Sequence, residues 1–177
     1  MSAYATLAEA NAYFDNRLYS SLWAASSSGD RDKALETASR IIDRLNFAGE
    51  KNAASVVRLA LTGRSDFEIS LSQEQYDAII AAGLTQALQF PRGSDTVVPD
   101  DIKIASYEIA FALLDGVDPD KEFEDLGVVS QGYSSVRTTY DRSTVPEHTN
   151  AGIPSPTAWR FLKPFLRLGG SIRMHHV

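Results

Sequence analysis

Apolar side chains recur at helical spacing over much of the chain. Leu7, Ala10, Phe14 and Leu18 follow Thr6-Leu7-Ala8-Glu9, where Thr6 can accept from the backbone N–H of Glu9 while Glu9 reaches back. That capping box predicts a first helix near residues 7–19. Ser26-Ser27-Ser28-Gly29-Asp30 reads as a loop that ends in a cap residue. After it Ala34, Leu35, Ala38, Ile41, Ile42 and Leu45 line one helical face, and Arg31, Lys33, Glu36, Arg40, Asp43 and Arg44 occupy the other, with Gly49 as the stop. Residues 53–61 suit another turn or two, which Thr62-Gly63-Arg64-Ser65-Asp66 interrupts. Ser72 with Gln75 opens a short helix through Tyr76, Ile79 and Ile80 that Gly83 ends. The apolar-rich run from Leu84 to Phe90 fits a strand or a helix equally, and Pro91-Arg92-Gly93-Ser94-Asp95 is a loop.

Val98-Pro99-Asp100-Asp101 is a helix entrance, with proline in the first turn and two acids at the positive end of the dipole. The helix it opens has two apolar stripes: Ile102, Ala105, Ile109 and Leu113, and on another side Ile104, Tyr107, Phe111 and Leu114. Such a helix is either central to its own bundle or shared with a neighbouring subunit. Gly116 closes it, and Asp118-Pro119-Asp120 starts a short helix reaching Leu126. Val128 to Tyr140 is rich in β-branched and aromatic residues around Gly132, which predicts a small hairpin or an extended arm. Residues 141–156, spaced by Pro146, Gly152, Pro154 and Pro156, read as an extended linker. A short basic amphipathic segment with Trp159, Leu162, Phe165 and Leu166 follows, interrupted by Pro164. The expected fold is mainly α: a small helical bundle with a minor β-hairpin or extended arm and an extended C-terminal tail. Its divisions are a helical domain over 1–126, the hairpin or arm over 127–149 and a terminal arm over 150–177.

The 177 residues suffice for a real core. Charge is uneven: residues 95–125 hold ten acidic side chains against Lys103 and Lys121, whereas from 133 onward six arginines and lysines face Asp141 and Glu147. An overall charge of −6 makes a poor general binder of phosphate backbones. The absence of cysteine excludes disulfide scaffolds, thiolate metal sites and cysteine nucleophiles. No apolar run reaches membrane-spanning length and the start lacks a secretory layout, so a soluble chain made in a cytoplasm is expected.

Candidate chemistry is sparse. His148, His175 and His176 have no metal-ligand spacing, and the acids from Asp115 to Glu124 lack the glycine and glutamate of an EF-hand loop. No Walker A, Gly-x-Ser-x-Gly or G-x-G-x-x-G pattern is present. A non-enzymatic chain with no cofactor and no metal is therefore expected. Tyr133, Arg137, Tyr140 and Arg142 interleave aromatic and basic side chains, a pattern that can stack bases and hold phosphates; a solvated strand pair or an arm that meets another protein reads them as well.

Tyr4-Ala5-Thr6-Leu7-Ala8-Glu9-Ala10-Asn11-Ala12-Tyr13-Phe14, Trp23, Lys33-Ala34-Leu35 and Ala38-Ser39-Arg40-Ile41-Ile42-Asp43 resemble the head-to-tail adaptor proteins of tailed bacteriophages. So do Gln86-Ala87-Leu88-Gln89-Phe90-Pro91-Arg92-Gly93, Val98-Pro99, Ile102, Ala105, Glu108 and Ala110, and the likeness runs over roughly 4–166. The resemblance implies a structural virion protein, a ring of typically twelve subunits under the portal that links the DNA-filled capsid to the tail. Double-stranded DNA would pass its channel without sequence-specific binding. Made in the host cytoplasm, it would end in the neck of the virion, bound to sister copies, the portal protein and the next neck or tail protein, with no membrane partner. The implied portal interface is Trp159, Arg160, Phe161, Leu162, Lys163, Phe165, Leu166 and Arg167, and the implied subunit interface Ile104, Tyr107, Phe111 and Leu114. Similar sequences are also grouped as a DnaT-like single-strand-binding family, which makes an accessory protein that binds single-stranded DNA the alternative.

Overall fold

The computed structural model describes residues 3–63, 71–118, 120–121, 128–132, 137–140 and 145–167, and the described residues are mainly helical. In chain order its elements are α1 (Leu7–Asp15), α2 (Ser21–Ala25), α3 (Ser28–Asp43), α4 (Asn52–Thr62), α5 (Gln73–Thr85), α6 (Asp100–Leu114), β1 (Val128–Gly132), β2 (Arg137–Tyr140), α7 (Glu147–Asn150) and α8 (Pro156–Leu162). A 3-10 turn, Lys163–Phe165, follows α8. They fall into two compact units, one formed by Met1–Leu45 and Val98–Leu162, the other by Asn46–Val97 and Lys163–Val177. The helical stretch expected as one domain over 1–126 thus contributes to both units.

The first unit is built around α6, on which α3 and α8 pack, with α2 alongside. Ile102, Ala105, Ile109 and Ala110 of α6 are buried, as are Leu35, Ala38 and Ile42 of α3 and Ala158 and Leu162 of α8. Small side chains at Ala38, Ser39, Ala105 and Ser106 let backbones approach, while the leucines and isoleucines among them supply apolar area, each worth about 1.5–3 kcal/mol when fully buried. Of the two readings of the doubly apolar helix, the structure shows α6 central to its own unit.

Local signals set most helix starts. Thr6 and Glu9 form the capping box of α1, and Ser72 and Gln75 that of α5. α3 starts earlier than expected, because Ser27 accepts from the backbone of Asp30 and draws Ser28 and Gly29 into the helix. α1 ends at Asp15 instead of continuing to residue 19, and the chain turns through Tyr19, whose φ of 59° lies in the left-handed region. That conformation costs a bulky residue roughly 1–2 kcal/mol; beyond it lies α2, which the hydrophobic pattern did not predict.

Gly83 does not end α5. It sits inside the helix, where a Cβ would come within 3.3 Å of the Cβ of Ala54, so the glycine permits α4 and α5 to close on each other. The helix break after α4 is at Gly63, in the left-handed region at φ 67°. β1 and β2 form the expected hairpin, antiparallel, with Gly132 opposite Arg137, Gln131 opposite Thr138 and an irregularity between Val128 and Ser130. The expected extended linker contains the α7 turn and a buried Ile153. Among the described residues, no helix is long and apolar enough to cross a membrane.

Candidate functional site

In the first unit, polar chemistry concentrates where α1 meets α6. Glu108 is only 3% exposed, and a carboxylate so buried requires partners. Arg17 supplies two bonds, Nε to Oε1 at 2.7 Å and Nη2 to Oε2 at 2.9 Å, and the Tyr13 hydroxyl donates to Oε1 at 2.7 Å. This is a bidentate, charge-assisted pair with a third donor. The guanidinium also lies 4.7 Å from the Phe111 ring centre, and Phe14 stacks on Phe111 at 5.5 Å and on Trp23 at 4.3 Å.

Burial, then the hydrogen bond to Glu108 and its negative charge, push the Tyr13 hydroxyl up to about 12. Burial followed by the charges of Glu9 and Asp100 takes Tyr107 to about 12 as well. Both phenols keep their protons at neutral pH, which suits bracing and not proton transfer. Nearby, Lys103 donates to Glu9 at 2.6 Å; that bond, together with the backbone and hydroxyl of Thr6, lowers the Glu9 carboxyl to about 2.

A second polar group surrounds Asn11. Its Oδ1 accepts from Trp23 Nε1 at 2.9 Å and from Arg31 Nη1 at 3.2 Å, while Arg31 Nη2 donates to the carbonyl of Ala24 at 2.9 Å. These residues line an open cleft of about 310 Å³ with Phe14, Asp15 and Ser20. The bonds seat α2 on the unit, and Leu18 and Tyr19 project from the adjoining turn, 79% and 90% exposed.

The second unit has a different balance. Its buried apolar residues among those described are Phe47, Ala54, Ile79 and Phe90, and a polar lattice does much of the joining. Arg92 donates to the carbonyls of Ala48 and Gly49 and to Gln89 Oε1, and its guanidinium lies 6.0 Å from both the Phe47 and Phe90 rings. Gln86 binds the carbonyls of Leu88 and Pro91 and accepts from the backbone of Ala53; Lys51 donates to the carbonyl of Gln86 at 2.7 Å. The Phe90–Pro91 peptide is cis. Nine large apolar side chains stand exposed among the described residues: Leu18 and Tyr19 in the first unit, and Val56, Leu59, Leu61, Tyr76, Ile80, Leu84 and Val97 in the second.

The expected interface residues distribute as follows. Tyr107 is buried against Tyr13, with ring centres 5.1 Å apart, and Phe111 packs on Phe14; Ile104 and Leu114 are half-buried. Tyr107 and Phe111 thus spend much of their apolar surface inside their own unit. In the expected terminal arm, Leu162 is fully buried and Trp159 and Phe161 are half-buried, with Trp159 Nε1 3.4 Å from Glu147 Oε2. Arg160, Lys163 and Arg167 are exposed.

Leu166 bridges to Phe47, the Arg167 backbone donates to the carbonyl of Asn46, and Phe165 meets the Phe90 ring edge-on at 5.6 Å. Residues 156–167 are therefore packed and not extended: Trp159 to Leu162 belong to the first unit and Lys163 to Arg167 to the second. Residues 168–177 of that arm lie outside the described residues. Of the possible nucleic-acid contacts, Arg137 and Tyr140 are in β2, and Tyr133 and Arg142 lie outside the described residues.

The exposed faces of α4 and α5 are not among the sites expected from sequence, where Tyr76, Ile79 and Ile80 mark only a short helix. The available signal was width: with Leu84 the apolar arc of α5 extends well beyond Ile79, more than a four-residue core can cover. Compared with known protein families, curated proteins and solved structures, the chain matches none of them.

Proposed function

We propose that this chain is a structural head-to-tail adaptor of a tailed bacteriophage, a ring-forming piece, dodecameric by the resemblance, that joins portal to tail and continues the DNA channel. One observation carries the reading: the second unit leaves Val56, Leu59, Tyr76, Ile80 and Leu84 in water, an apolar surplus characteristic of surfaces that meet other proteins. The first unit supplies a firm frame through the Glu108 cluster and the α6 core. Arg160, Lys163 and Arg167 are exposed cations suited to the rim of a portal contact. Asp100, Asp101, Asp115, Asp118 and Asp120 are exposed as well, whereas Glu108 is internal and paired, so the acidic character of the 95–125 segment is carried chiefly by aspartates. Facing a channel, they would repel DNA and let it slide.

Deleting the coding sequence from a phage genome that carries it, and imaging the particles, tests the reading. Filled heads without tails are expected. Infectious, tailed particles at the normal yield would overturn it.

A further inference from the structure

The cleft between α1, α2 and the start of α3 lies within the first unit and gathers three polar groups that have hydrogen-bonding or charge capacity to spare. Arg31 is the first. A guanidinium carries five N–H donors, and among the described residues two of them are in use here, from Nη1 to Asn11 and from Nη2 to the carbonyl of Ala24. Both acceptors are neutral. Its Nε is buried with no hydrogen-bond partner, and no carboxylate among the described residues comes within ion-pair range of the guanidinium. Asp30, its neighbour in sequence, is held by Ser27 and Lys33 instead. Buried polar groups are nearly always bonded and sheltered charges paired, so a guanidinium held in this way is a ready donor for an anion.

Asp15 is the second. It closes α1, whose last turn holds no basic residue, and an acid there stands at the negative end of the helix dipole. Among the described residues no cation pairs with it. Ser20 is the third: it precedes α2, yet its side chain makes no capping bond. The turn through Tyr19, at a φ of 59°, carries the chain from Asp15 back to the same cleft, and backbone held in that region by a bulky residue is found most often at binding sites.

A cation and an anion thus line one cleft without pairing with each other. We infer that the cleft binds a free α-amino acid, with Arg31 taking the carboxylate, Asp15 the ammonium and the Ser20 hydroxyl a further hydrogen bond. The ligand's side chain lies against the parts of Phe14 and Trp23 that line the cleft. A simple carboxylate would be repelled by Asp15 and a simple amine by Arg31, whereas a zwitterion answers both charges. At about 310 Å³ the cleft is at the small end of ligand sites, which favours a ligand whose two charges sit on one carbon over a long ω-amino acid. The site is complete within the first unit and does not depend on the adaptor reading.

NMR of the full chain tests the inference. There are two tryptophans, and Trp23 Nε1 bonds Asn11, which also accepts from Arg31, so the Trp23 indole N–H resonance reports on the cleft. Among the common α-amino acids, at least one should move that resonance saturably with a Kd at or below about 1 mM, leaving the Trp159 resonance in place. The amide of the best binder lacks its carboxylate and the N-acetyl derivative its ammonium; each should bind at least tenfold more weakly.

Arg31→Gln should abolish binding. Because Arg31 also seats α2, Asp15→Asn supplies a second variant: it should weaken binding at least tenfold with the melting temperature unchanged or raised, since the acid it removes is exposed and opposes the dipole. The inference is overturned by the absence of a saturable shift with every common α-amino acid at about 10 mM. It is equally overturned by equal binding of the N-acetyl derivative, by preference for ε-aminocaproate over every α-amino acid, or by unchanged affinity in Asp15→Asn.

Discussion

Arg17→Met removes the one cation bonded to the Glu108 carboxylate among the described residues while leaving an apolar stem to cover Phe111. In the folded chain the carboxylate, 3% exposed beside Arg17, would retain Tyr13 as donor and lose two charge-assisted bonds. Breaking a buried pair from one side costs about 3–5 kcal/mol. The Arg17 side chain is 26% exposed, so water already screens part of the pair, and the lower end, about 3 kcal/mol, applies. For a chain of this size that lowers the melting temperature by roughly 6–12 °C.

Glu108→Gln removes the charge and keeps an acceptor for Tyr13, which should cost about 1 kcal/mol. The double variant should cost about 2 kcal/mol less than the sum of the singles, because the charge that Arg17→Met strands is no longer there. Guanidinium unfolding followed by tryptophan fluorescence reports the cycle, since Trp23 stacks on Phe14 in the same unit. If Arg17→Met lies within 1 kcal/mol of the unaltered chain and the cycle shows no coupling, the pair is solvated and does not brace the unit.

Leu162→Ala should destabilise the first unit by about 3 kcal/mol in the same assay, since Leu162 is fully buried; a negligible change would mean that α8 is a detached arm and not part of the core. The Glu9 carboxyl is held at about 2, below its ordinary 4.5, so it contributes stability that is complete above pH 4.5 and is lost as the pH falls toward 2. Glu9→Gln should flatten the melting temperature across that window, and an unaltered acid profile would contradict the pairing with Lys103. Gly83→Val puts a branched side chain where even a Cβ meets Ala54 at 3.3 Å; thermal unfolding should show a loss of 1–3 kcal/mol, and a gain would mean that α4 and α5 are not in contact there.

Short-range physics was legible in the sequence. The two capping boxes, the amphipathic α3, the entrance to α6 and the hairpin each depend on residues within a few positions of one another, and each is present, although α3 starts earlier, at Ser28, and ends at Asp43, short of Gly49. Illegible were features decided by distant packing. Gly83 carries the signature of a helix stop, yet its partner is Ala54, so its smallness serves a helix contact. Residues 141–156 look like linker because of their prolines, but Ile153 and Thr149 find cover that only the folded unit provides.

The residues that carry the family resemblance also do visible structural work. The Tyr4 backbone donates to Ser39, Thr6 and Glu9 cap α1, Asn11 ties Trp23 to Arg31, and Gln86, Gln89 and Arg92 stitch the second unit. Motifs that secure a fold speak first to architecture. The candidate interface depends instead on which apolar residues the core leaves over, and that difference emerges only when Ile79 is seen buried and Ile80, its neighbour, exposed.

Mass measurement and electron microscopy of the purified chain, mixed with the portal protein of the phage genome that encodes it, bear most directly on the adaptor role. A ring of copies seated on one face of the portal is expected. Portal particles that remain bare at saturating concentrations of the chain would contradict it.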